Sequence, residues 1–261
     1  MKQKIKRYLD EEEFLDRGEE ATEGFLARQI SDFDSWIDNI TSKHMDGLIS
    51  SKDYHSQMAK KIGNSCIYDI LKSRMRGYVE WSLEQIAELS GLQDSQQIID
   101  FGCGTCLETA FLAEHFNKSE FIGIDSSKEM IKRAEERIKR RTIRNLKLIE
   151  GNSYELDINK NASLAICAHT LSEDCCFNEE IHYTLEKSSR IKRIKRFLIK
   201  SGKLLIVEPC NNDYIPQDIE RGVGLLYFAG FNNISYKVYS EKSTPFAEIL
   251  LYGESDGEIE K

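Results

Sequence analysis

Apolar side chains at Phe25, Leu26, Ile30, Phe33, Trp36, Ile37 and Ile40 fall mostly three or four residues apart. That spacing gathers them on one face of an amphipathic helix. Similar patterns predict a second helical stretch over Ser56 to Leu71 and a third from about Tyr78 to Leu89, before Gly91 stops it. No convincing strand precedes residue 95, so residues 1–95 are expected to form a helical region.

The pattern changes at Gln96. Gln97 to Phe101 reads as a short buried strand ending in a glycine loop, Cys106 to His115 as a helix, and Glu120 to Asp125 as a second strand. Ser127 to Arg141 predicts a strong helix with Met130, Ile131, Ala134 and Ile138 on one face. Strands follow at Leu146–Glu150, Leu164–Ala168 and, after a basic helix, Lys203–Glu208. Strand and helix in regular succession imply parallel strands joined by right-handed crossovers, hence an α/β, doubly wound sheet over residues 96–261. The last two candidate strands, Ile234–Tyr239 and Ala247–Tyr252, are separated by Glu241 to Pro245 and predict an antiparallel hairpin at the sheet edge.

Composition agrees with a globular chain: 261 residues, 40% hydrophobic and 31% charged, with three prolines and sixteen glycines. No apolar run approaches the roughly 20 residues that span a bilayer. The opening Met1 to Arg7 leads into Tyr8, Leu9 and acidic Asp10 to Glu13 rather than into an apolar secretion signal, so a cytoplasmic location is expected. Cys66, Cys103, Cys106, Cys167, Cys175, Cys176 and Cys210 form an odd set that reads as reduced thiols. Cys103 and Cys106 form a C-x-x-C without the second pair that a closed zinc site needs, so no metal is expected.

The formal charge of −8 argues against a surface committed to nucleic acid, and residues 1–95 hold 13 basic against 18 acidic side chains. Two basic stretches stand out, Lys128 to Lys147 and Lys187 to Lys203. Both read as solvated helix faces, with Ile191, Ile194, Phe197 and Leu198 supplying the buried stripe of the second.

The stretch Ile98-Ile-Asp-Phe-Gly-Cys-Gly-Thr-Cys106 places a carboxylate at a strand end and two glycines in a turn where helix amides converge, the setting of a ligand site. A dinucleotide fingerprint G-x-G-x-x-G fails because Leu107 occupies its third position, and no G-x-x-x-x-G-K-[ST] loop exists for a nucleoside triphosphate. The segment resembles the first motif of class I S-adenosylmethionine (SAM)-dependent methyltransferases, D-x-G-x-G-x-G. Asp100, Gly102 and Gly104 match, whereas Cys106 replaces the third glycine and resists the positive φ that glycine permits.

Later segments resemble the same family in order. Phe121 to Met130 is similar to its second strand, which implies that Asp125 takes the ribose hydroxyls, with Ser126 and Met130 beside it. An acid there also suits capping of the next helix, a role open to Ser126 or Ser127. Glu150-Gly-Asn-Ser153 resembles the third-strand turn, which implies adenine contacts for Asn152 and Ser153. Ala165 to Asp174 resembles the fourth strand and the loop beside the methyl group, Leu198 to Pro209 the fifth strand, and Phe228 to Phe231 the segment before the sixth. The resemblance spans residues 98–252. It implies a seven-stranded, mostly parallel sheet and SAM as cofactor, with S-adenosylhomocysteine as product. The implied cofactor residues are Asp100, Gly102, Cys103, Gly104, Asp125, Ser126, Met130, Asn152, Ser153 and Ala168, with Tyr78 from the preceding helix.

His169 lies where a general base for a hydroxyl acceptor is expected, although packing beside the cofactor is the other reading. A carboxylate acceptor needs no base and is held instead by Arg, Lys or Tyr; Arg74, Arg76, Tyr78, Tyr214 and Arg221 are candidates by location. Ala168-His-Thr-Leu171 stands where base-amino methyltransferases carry [DN]-P-P-[FYW], which disfavours those targets. The expected activity is therefore O-methylation of a carboxylate or hydroxyl in a small molecule or peptide. The overall look of tailoring enzymes for bacterial peptide natural products adds a peptide C-terminus to the acceptors. Alternatives are RNA methylation through the basic helices and a non-catalytic SAM-binding or partner-binding module.

Overall fold

Ile98, Ile99 and Phe101 are all fully buried although neighbours in a strand point to opposite faces. Residues 97–101 therefore run through the middle of a sheet covered on both sides. The computed structural model describes residues 1–12, 32–49, 53–54, 57, 76–89, 95–152, 155–156, 161–168, 180–212, 215–240 and 246–255. Its elements are α1 (Lys2–Glu11), α2 (Phe33–Met45), α3 (Arg76–Leu89), β1 (Gln97–Phe101), α4 (Leu107–His115), β2 (Glu120–Asp125) and α5 (Lys128–Arg141). Then come β3 (Leu146–Glu150), β4 (Ala162–Ala168), α6 (Glu180–Lys195), β5 (Leu198–Asn211), α7 (Ile215–Phe228), β6 (Phe231–Ser240) and β7 (Phe246–Ser255).

The seven strands form one sheet in the order β3-β2-β1-β4-β5-β7-β6. β3, β2, β1, β4 and β5 pair in parallel, while β7 runs antiparallel to both β5 and β6. The predicted terminal hairpin is present, with β7 inserted beside β5 and β6 left at the edge. β5 extends further than Lys203–Glu208 because an irregularity carries the chain from the Ala162↔Leu198 pair to Leu164↔Lys203. Ser201 takes φ 61° there, and a Cβ on Gly202 would lie 2.8 Å from the Ile199 carbonyl oxygen.

Helix α7 has no counterpart among the predicted elements. Pro216 and two glycines weaken its helical signal, but Pro216 sits in the first turn, where proline is tolerated. Gly222 lies so close to Leu251 that a Cβ would fall 2.2 Å from its Cδ1, so this glycine permits helix and sheet to touch. Of the predicted N-terminal helices, α3 covers the third and α2 the later part of the first; Phe25, Leu26, Ile30 and nearly all of Ser56–Leu71 lie outside the described residues.

The core has two halves. On one face Ile98, Leu164, Ile166, Leu205, Val207 and Leu250 pack with Ile5, Tyr8 and Leu9 of α1, Val79, Leu83 and Ile86 of α3, and the buried sides of α4 and α5. On the other, Ile99, Phe101, Leu204, Ile206 and Ile249 pack with Ile191 and Ile194 of α6 and Leu225 and Leu226 of α7. Lys192 and Arg193 of α6 are exposed, as a solvated basic face requires. The basic stretch on α5 departs from that expectation: Lys132 and Arg140 are exposed, but Arg137 is buried and Arg141 largely covered, because Glu11 at the end of α1 and Glu12 directly after it reach over them. Among the described residues no helix is long and apolar enough to cross a membrane.

Candidate functional site

Strand order reverses between β1 and β4: the crossover from β1 leads to β2 on one side, while β4 lies on the other. A crevice at the carboxyl ends of such strands is where open α/β sheets bind ligands. The glycine turn lies there. Gly102, Gly104 and Cys106 take φ of 76°, 54° and 55°. The Gly102 and Cys103 amides donate to the Ile124 carbonyl at 2.8 and 2.9 Å, and the Cys106 amide donates to the Cys103 carbonyl at 2.8 Å, which opens α4.

Cys106 thus holds the left-handed conformation usually left to glycine, at a cost of about 1–2 kcal/mol. Its fully buried thiol offsets that strain by filling space above β2. A Cβ on Gly123 would lie 2.9 Å from Cys106 Sγ and 3.0 Å from Cys103 Sγ, so the absence of a side chain there accommodates both sulfurs. Hydrogen bonding to Cys106 and burial push the Cys103 thiol well above its ordinary value. Both cysteines are packing groups rather than nucleophiles. Above Gly104, by contrast, a Cβ would meet nothing within 4 Å. The outer side of the turn faces open space.

Asp125 ends β2 facing this turn. Its Oδ2 accepts from the Gly104 amide and its Oδ1 from the Ser127 amide, each at 2.8 Å. Burial raises its carboxyl above the ordinary value, and the two amides offset only part of that rise. Ser127 is the cap of α5, accepting from the Met130 amide at 3.4 Å, so capping does not consume Asp125. Each carboxylate oxygen keeps a further lone pair for a hydroxyl donor. The Gly151 amide donates to the Asp125 carbonyl at 2.9 Å and brings the β3 turn alongside, with Asn152 exposed and donating to Glu155 Oε1 at 2.9 Å.

Asp100 is 5% exposed and accepts from Thr109 of α4, so it braces the turn from inside. Ser126 is half-buried next to Asp125; Met130 turns into the core, and Ala168 ends β4 half-buried. Tyr78 is buried edge-on to Tyr239 of β6 at 5.2 Å, and Trp81 stacks on the same ring. Next to them Ser82 donates to Glu248 at 2.6 Å, a buried polar contact absent from the sequence expectations.

Two expected acceptor residues, Arg76 and Arg221, are among the described ones. Arg76 lies 2.8 Å from both Asp10 and Glu80 and donates to the Lys6 carbonyl at 3.3 Å, so its guanidinium bridges α1 and α3. The cause is the acidic end of α1, which packs against the start of α3. Arg221 stands exposed on α7, 3.7 Å from Asp218. His169, Ser153, Tyr214 and Arg74 lie outside the described residues. Among the described residues no group of three or more His, Cys, Asp or Glu is placed to hold a metal ion.

Sheet order, switch-point turn and the acid ending β2 define the class: this is the fold of class I SAM-dependent methyltransferases. Residues 92–227 match the methyltransferase domain family, and the chain belongs to it. It is 32% identical over 97 residues to a demethylmenaquinone methyltransferase from Geobacillus sp. (strain WCH70), a match covering 36% of this chain and 41% of that protein. The matched part thus spans about two fifths of that relative. Among solved structures, a putative O-methyltransferase from Nostoc punctiforme superposes with a TM-score of 0.56 at 17% identity, covering 76% of this chain and 60% of the other. The [4+2]-cyclase SpnF gives the same TM-score at 15% identity, covering 68% and 82%. At such identities these two show the shared fold alone.

Proposed function

We propose that the protein transfers a methyl group from SAM to an oxygen of a small-molecule or peptide acceptor in the cytoplasm, releasing S-adenosylhomocysteine. The acceptor oxygen belongs to a carboxylate or hydroxyl, the C-terminal carboxylate of a peptide natural product included. The observation that carries the reading is the contact between the Gly104 amide and Asp125 beneath open space, because it sets a charged acceptor and a side-chain-free turn at one mouth of the sheet.

In this reading Gly102, Cys103 and Gly104 let a ligand lie against backbone, and Asp125 accepts from two ribose hydroxyls. Ser126, Asn152 and Ser153 border the adenine, Asp100 and Met130 support the site from beneath, and Ala168 and Tyr78 shape the remaining walls. SAM supplies an already reactive methyl sulfonium, so the protein's task is alignment of the acceptor and exclusion of water. A carboxylate acceptor needs no deprotonation near neutral pH; for a hydroxyl, His169 directly after β4 serves as base. Tyr214, which follows β5 in the sequence, and Arg221 of α7 are assigned to the acceptor. A small-molecule acceptor agrees with the compound in the name of the Geobacillus relative, and the acidic balance of residues 1–95 disfavours a polyanion.

Calorimetric titration with SAM and with S-adenosylhomocysteine tests the reading. Both are expected to bind, and Asp125→Ala is expected to weaken each by about 1–3 kcal/mol through lost charge-assisted hydrogen bonds. Failure of the unmodified protein to bind either compound refutes the enzymatic reading; unchanged affinity in Asp125→Ala refutes the ribose role.

A further inference from the structure

A buried polar network ties α1 to the segment that carries the glycine turn. Glu12, directly after α1, has a side chain only 1% exposed, and Arg137 of α5, 4% exposed, donates to it from Nε at 2.8 Å. The same guanidinium donates from Nη1 to the carbonyl of Thr105, between Gly104 and Cys106. Arg140 and Arg141 also reach Glu12. Burial alone raises the Glu12 carboxyl, but Arg137 and then Arg140 overcome it and hold the group below its ordinary value. From α1 itself, Tyr8 donates its hydroxyl proton to the Leu107 carbonyl at 2.7 Å, while Arg141 lies 4.4 Å over its ring.

The carbonyls flanking Cys106 in sequence, at Thr105 and Leu107, are thus held by α5 and by α1. A buried ion pair of this kind is costly to desolvate, and an apolar pair of equal volume often serves stability as well. What an apolar pair lacks is a donor for Thr105. Arginine's planar fork reaches a carboxylate and a carbonyl at once, which the single ammonium of lysine does not.

We infer that Arg137 is a positioning residue: together with Glu12 and Tyr8 it sets the glycine turn in the orientation that presents Gly104 to Asp125, and it couples the docking of α1 to cofactor affinity. This rests on the reading of the turn as the SAM site. Coupling between two sites is reciprocal, so a bound cofactor also tightens α1.

The test uses the full chain and S-adenosylhomocysteine, with Arg137→Lys, Tyr8→Phe and the unmodified protein compared by calorimetry, thermal melting and amide hydrogen exchange. Arg137→Lys keeps a cation against Glu12 but drops the fork to Thr105. Its Kd is expected to rise about tenfold, within the usual span of coupled sites, with little change in melting temperature. Tyr8→Phe keeps the ring in the core and is expected to shift Kd in the same direction by a smaller factor. Ligand is expected to slow exchange of α1 amides in the unmodified protein and to slow it less in Arg137→Lys. A purely structural role moves the melting temperature and leaves the Kd of folded protein alone. Should Arg137→Lys not fold, Tyr8→Phe decides. Wild-type Kd in the folded variants overturns the coupling while leaving the cofactor reading intact; absence of binding by the unmodified protein overturns the cofactor reading itself.

Discussion

Gly123 has no functional group, yet the two cysteines under the turn depend on it. Cys103 Sγ, Cys106 Sγ and Leu148 Cδ2 all stand within 3.1 Å of where its Cβ would be, and the sulfurs are buried with nowhere to withdraw. Gly123→Ala is therefore expected to cost about 1–3 kcal/mol in urea unfolding, the usual penalty for overpacking a tight core. Gly104→Ala should behave oppositely. Its Cβ meets no protein atom within 4 Å, so stability falls only by the roughly 1–2 kcal/mol of the left-handed conformation, while SAM affinity at the proposed site is expected to drop, because the methyl would enter the space assigned to the ligand. At this scale the sequence was legible where residues that meet in space belong to short local strings. Asp100, Gly102, Gly104 and Asp125 stand in recognisable order and lie together at one mouth of the sheet. Glu12 and Arg137 meet across 125 positions, and no periodicity or motif links residues so far apart.

Among the elements, α5 shows how a residue's local assignment can be half right. Its apolar stripe at Met130, Ile131 and Ala134 is buried as the spacing predicts, and Ser127 caps it. Ser127→Ala is expected to lower stability by about 1 kcal/mol, read as a shift in the urea midpoint at unchanged slope. Its basic residues divide into two sets, however. Charge alone does not say which arginines face acids on another element, and Arg137 was expected in solvent for that reason. Helix α7 was missed because glycine and proline lower helical propensity, whereas tertiary contact with Leu251 makes Gly222 an asset. Strands β1, β2 and β3 keep their predicted bounds; β1 and β2 do so as buried parallel strands, which carry the plainest signal, whereas β3 lies at the sheet edge with only Leu146 buried.

For the whole molecule, the division at residue 95 visible in the sequence marks a change of local pattern. Packing runs across it. Ile5, Tyr8 and Leu9 share one hydrophobic cluster with Ile98 and Leu164, so the first helix contributes to the core of the sheet. Leu9→Ala, at a fully buried position, is expected to cost about 2–5 kcal/mol, and loss of helix by circular dichroism should coincide with the tryptophan fluorescence transition. Two separate transitions would show that α1 melts by itself.

The place of β7 between β5 and β6 carries a consequence for how the protein is made. As the ribosome delivers the chain, β5 emerges well before the segment that will flank it, and until then one rim of the sheet offers bare amides and carbonyls. Nascent protein is thus most prone to sticking, or most in need of a chaperone, in the interval between those two arrivals.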